Sequence, residues 1–212
     1  MSQEPASAQR RPWYLVLALL LCSVLGAYGS LDGYETIALY RTTQIDTSYV
    51  LRDIAQEENR KSAAASVDRL LGAMEQEKTK LFPLAAGELV LGLALFMLSI
   101  FAMAGRGGAR SAVVQLVVVQ AGLVVAMHVL TPKVRAAELD LGLAVKSAQL
   151  RESGTDPHVV DDAATTYRRL EPYLGGIKLG VRSALALLVI VALTRARTRA
   201  FYEARSERPN EG

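Results

Sequence analysis

Glu88, His128, Lys178 and Arg182 each interrupt an otherwise apolar stretch of the sequence. An ionisable group in such a setting is costly to desolvate, so it is a functional candidate by default. Glu88 could contact an ion or a substrate. Lys178 and Arg182 could face an anionic ligand or a second protein, or could snorkel to headgroups. His128 reads as an interfacial residue rather than a ligand or a proton relay. Gln115 and Gln120 add groups able to hydrogen-bond between helices. The sequence lacks the buried chain of carboxylates that a pump would need.

Other chemistries find little support. Cys22 is the only cysteine, which excludes an internal disulfide and any cysteine-pair redox or metal site. The two histidines, His128 and His158, have no ligand spacing. There is no zinc-binding HExxH, no phosphate-cradling glycine loop and no GxSxG. The expectation is a non-catalytic protein with no metal or cofactor residues.

The elements that must position these groups follow from how charge is distributed. Hydrophobic residues make up 51% of the 212 and charged ones 21%, and the two are segregated along the chain. A helix crossing the hydrocarbon core needs about 20 mostly apolar residues. Four stretches qualify: 13–31, 84–105, 111–130 and 174–194. They leave tails at 1–12 and 195–212, a basic turn at 106–110, and two long loops at 32–83 and 131–173. Arg10 and Arg11, Arg106 and Arg110, and Arg195, Arg197, Arg199, Arg205 and Arg208 all fall on one side only if there are four spans. Both long loops are mildly acidic, with nine acids against seven bases in the first and seven against six in the second. The positive-inside rule then puts both termini in the cytoplasm. The arginine-rich composition suits a bacterial inner membrane protein. A cleaved signal peptide ending near Ala27-Tyr28-Gly29 is the rival for the first span.

The fold class expected is an all-α membrane protein, with four transmembrane helices arranged as two hairpins and extended helical outer loops. Helical periodicity marks Ile45, Val50, Leu51 and Ile54, then Val67, Leu70, Leu71 and Met74, in the first loop. In the second it marks Val134, Ala137, Leu141 and Val145, a break at Gly154-Thr155-Asp156-Pro157, then Val160, Ala163, Tyr167 and Leu170. Pro83 and Pro172 each stand where a proline could open the first turn of a span. The sequences around them, Lys80 to Gly87 and Arg169 to Gly176, resemble one another, which suits either a duplicated hairpin or shared helix-start chemistry.

Small residues mark candidate packing faces: Ala18, Cys22 and Gly26 on the first span, Gly92 on the second, Gly122 on the third, and Gly176, Gly180 and Ala184 on the fourth. If the last stripe faces inward, Lys178 and Arg182 point away from the bundle and Glu88 points into it. A third arrangement pairs Glu88 with Lys178 and turns those glycines towards lipid or another subunit. Glu88 lies seventeen residues before Gly105, His128 seventeen after Ser111 and Lys178 seventeen before Arg195, each about 25 Å along a helix. Arg195, Arg197 and Arg199 would attract anionic lipid; nucleic acid is a poor fit for so short a run at a span end. The leading expectation is an accessory, scaffold or sensor subunit whose outer helical bundle binds a membrane or extracytoplasmic protein, or a second copy. The alternative is a small transporter or channel subunit using Glu88.

Overall fold

A computed structural model describes residues 11–45, 51 and 54–206. Among them the regular structure is entirely helical: α1 (Trp13–Ile45), α2 (Glu57–Met103), α3 (Gly107–Leu130), α4 (Pro132–Glu152), α5 (Pro157–Thr194) and α6 (Ala196–Ser206). Arg10, Val50 and Arg208 lie outside the described residues. Four helices contain stretches long and apolar enough to cross a membrane: Trp13–Leu39, part of Glu57–Met103, Gly108–Leu130 and Gly175–Thr194.

The chain divides into two packing units. The first comprises residues 1–32, 88–123 and 180–212. Leu15, Leu19 and Cys22 of α1, Leu95 of α2, Val113 and Val117 of α3, and Val189 and Leu193 of α5 form its core. Its exterior is also apolar, with Leu20, Val24, Val90, Leu93, Val118 and Leu187 all exposed. Helices that are hydrophobic all round do not suit contact with water.

The second unit comprises residues 33–87 and 124–179 and is built on the opposite plan. Ala63, Val67, Leu70, Met74 and Leu81 recur every three to seven residues on one face of α2, and are buried against Val134, Ala137, Leu141 and Ala148 of α4. Leu51 and Ile54 join this core. Glu57, Lys61, Asp68 and Arg69 face outward. Glu77, itself buried, accepts the Val134 N–H through Oε2 at 3.4 Å and so supplies a partner to the exposed first turn of α4.

Both helix ends that carry a positive-φ glycine close the same way. Gly105 (φ 84°) follows α2 and Gly154 (φ 81°) follows α4. Gly105 N–H donates to the Ala102 carbonyl and Arg106 N–H to that of Phe101. Gly154 N–H donates to Arg151 and Thr155 N–H to Leu150. This pairing satisfies the last carbonyls of a helix, and glycine supplies the left-handed residue it needs. Asp156 then starts α5: its carboxylate accepts the His158 N–H at 2.9 Å, and Pro157 occupies the first helical position.

Helix α3 starts at Gly107, within the basic stretch 106–110. Two expectations are corrected. Pro83 opens no helix: α2 runs unbroken through it for 47 residues, since the amphipathic face before it and the apolar run after it are both helical in period. On α5 Val160 is buried, but Ala163, Tyr167 and Leu170 are exposed.

Candidate functional site

In the first unit, Tyr28 and Asp32 stand one turn apart on α1 and therefore share a face. Glu88 lies on α2 and Arg182 on α5. Arg182 reaches both carboxylates: Nη1 lies 3.0 Å from Asp32 Oδ2, and Nη2 lies 3.0 Å from Glu88 Oε1. Its guanidinium carbon sits 4.7 Å from the centre of the Tyr28 ring. The Glu88 side chain is only 4% exposed, that of Arg182 15% and that of Asp32 29%. A planar guanidinium with several donors can serve two carboxylates at once and still stack on a ring, which an ammonium cannot do.

Gln120 of α3 joins this neighbourhood. A Cβ built on Gly29 would lie 2.1 Å from Gln120 Nε2 and 3.7 Å from Glu88 Cγ, so both side chains converge on the bare backbone there. Gln120 Nε2 donates to the Leu25 carbonyl at 3.3 Å, while its Oε1 is buried without a hydrogen-bond partner among the described residues. Four helices thus contribute to one polar locus.

What lets α1 and α2 come so close is a glycine crossing. A Cβ on Gly26 would meet Phe96 N at 2.6 Å and the Gly92 carbonyl at 2.7 Å; one on Gly92 would meet Ser30 N at 2.5 Å. These are backbone atoms, which cannot swing aside. Ser23 and Ser99 hydrogen-bond hydroxyl to hydroxyl at 2.6 Å across the same crossing. Ala18 and Cys22 are fully buried nearby in sequence on α1.

The packed face of α5 is the reverse of the one that its small residues suggest. Nothing lies within 4 Å of a Cβ placed on Gly176 or Gly180, and Ala184 is exposed. Gly122 of α3 is likewise open. Arg182 points inward instead, where its guanidinium compensates the charge of the buried Glu88 carboxylate. His128 and Lys178 belong to the second unit. His128 is half-buried and its carbonyl accepts a bond from Arg135 at 2.8 Å, while Lys178 is exposed. The sequence singled out Glu88 and Arg182 but missed Tyr28 and Asp32. Their spacing of four near the C-terminal end of the first apolar stretch was the available signal.

Arg195, Arg197 and Arg199 are exposed, and Arg195 lies over the Tyr14 ring at 5.2 Å. Among the described residues no group of three or more His, Cys, Asp or Glu is placed to hold a metal ion. No family model, no curated protein and no solved structure matches this chain.

Proposed function

We propose that this chain is a non-catalytic integral membrane protein of the bacterial inner membrane, an accessory subunit whose extracytoplasmic helical unit binds a protein partner. In this reading the chain crosses the bilayer four times, as two hairpins, with both termini in the cytoplasm. The apolar exterior of the first unit and the arginines at its span ends support that orientation. In this reading the first span is retained rather than cleaved, which the place of Leu15, Leu19 and Cys22 in the core and the continuity of α1 past Gly29 support.

The observation that carries the partner is on the first half of α5. Val159, Tyr167, Leu170 and Tyr173 are 58%, 46%, 48% and 70% exposed and lie within about 60° of one line along the helix. Outside the hydrocarbon, neither the unit's core nor lipid covers this stripe, and exposed apolar surface of that kind marks an interaction site. An amphipathic helix of a second protein is the matching shape. A photo-crosslinking residue at Tyr167 or Leu170 should trap one defined polypeptide in intact cells, and the same probe at Lys61, on a charged face, should not. Equal capture from all three positions, or none from any, would contradict this.

Ion transport through Glu88 is the second reading, favoured by the unpartnered Gln120 oxygen close to it. The ion pair to Arg182 weighs against it, because a cation is already held against Glu88.

A further inference from the structure

The sequence treats the residues after Thr194 as a basic tail, but they form a docked helix. Thr198, Phe201 and Tyr202 of α6 are buried, and the two aromatics belong to the core of the first unit. Tyr202 donates its hydroxyl to the Ala102 carbonyl at 2.7 Å, near the end of α2. Thr198 donates to the Ala192 carbonyl at 2.9 Å. Arg197 and Arg199 therefore have fixed directions, flanking the buried stripe about 100° to either side of it.

Six arginines gather around this helix: Arg11, Arg106, Arg110, Arg195, Arg197 and Arg199. Four have work within the fold. Arg11 donates to the Met103 carbonyl and lies over the Phe201 ring. Arg110 donates to the Leu193 carbonyl at 3.1 Å. Arg106 and Arg195 stack on Phe101 and Tyr14. Arg197 and Arg199 are exposed, and their side chains make no ion pair or hydrogen bond among the described residues. Glu203 is the one acid in the described part of α6. The surplus of positive charge stands at the ends of the apolar stretches, where headgroup phosphates would lie.

We propose that this basic end of the first unit is a docking surface for anionic phospholipid, with Arg197 and Arg199 binding headgroup phosphate and Tyr202 positioning α6 to present them. The inference rests on the membrane reading above. It goes beyond that reading in asking for a preorganised lipid site rather than a diffuse charge bias. Arginine suits the task because its forked donors match phosphate oxygens in pairs.

The test uses the full chain in nanodiscs of phosphatidylcholine, with or without phosphatidylglycerol, read by native mass spectrometry of retained lipid and by thermal unfolding. Wild type should retain phosphatidylglycerol in preference to phosphatidylcholine and unfold at a higher temperature when it is present. Arg197→Gln with Arg199→Gln should weaken that preference about thirtyfold, at about fivefold per basic residue near an anionic surface. Tyr202→Phe keeps every charge and should still lower the preference, as charge attraction alone would not require. Equal retention of both lipids by wild type, or no change in the double variant, would overturn the proposal. So would full stabilisation by inorganic phosphate in phosphatidylcholine discs, which would make free phosphate the ligand. Failure of the membrane reading looks different: the chain would stay in solution without detergent and would not enter nanodiscs.

Discussion

Arg182 is the residue on which the polar locus of the first unit turns. It is the cation shared by Glu88 and Asp32, and Glu88 has almost no solvent to fall back on. Arg182→Leu should therefore cost about 3–5 kcal/mol, the usual result of removing one member of a buried pair. Arg182→Leu combined with Glu88→Leu should recover most of that loss, because apolar replacement of a whole buried pair is often neutral. Unfolding in mixed detergents measures both. A double variant as unstable as the single one would mean that the pair does more than compensate charge. Ionisable residues in apolar runs were visible in the sequence, and so were Glu88 and Arg182. Their pairing was hidden because the orientation of α5 was inferred from Gly176, Gly180 and Ala184. A small-residue stripe tells which face permits close approach; it does not tell whether the chain itself uses that face.

Among the elements, α1 and α2 are held at a distance that only glycine allows. Gly26→Val should destabilise by about 1–3 kcal/mol, since the added carbons meet the backbone of α2 and overpacking has that scale. Gly122→Ala, where a Cβ meets open space, should be neutral or slightly stabilising through helix propensity. Thermal unfolding of the two variants side by side distinguishes them. The start of α2 gives a pH-dependent counterpart. Glu152 accepts the Gln56 N–H at 2.7 Å, and this bond, followed by one from Ala55, holds its carboxyl below the ordinary range. A depressed folded pKa contributes stability above the unfolded value of about 4.3, and that contribution is lost as pH falls through the folded value. Glu152 lies at the surface and is partly exposed, so the effect is small. Glu152→Gln should flatten the acid side of the stability curve, and an unchanged curve would remove this contact from the explanation. The break at Gly154 to Pro157 could be read from the sequence because its turn chemistry is local. The docking of α6 could not, because Phe201 and Tyr202 look the same whether they sit at a lipid interface or in a core.

At the scale of the whole molecule, two units carry two kinds of surface. The first is apolar inside and out, and the second has an apolar core beneath a more charged exterior, with exposed apolar residues on α5 and at the end of α3. That contrast follows from the segregation of charge along the chain, which is why the all-helical class and the four apolar stretches were legible from composition alone. The continuity of α2 through Pro83 was not, since proline at a span entrance suits either a helix start or an uninterrupted helix. The four-span topology is tested most directly by single cysteines in a Cys22→Ala background, treated in intact cells with a membrane-impermeant maleimide. Ser62→Cys, on the exposed face of α2, should label from outside. Gly108→Cys, where a side chain meets open space at the start of α3, should label only after the cells are broken open. Labelling of both positions in intact cells, or of Gly108→Cys alone, would contradict a four-span chain with cytoplasmic termini.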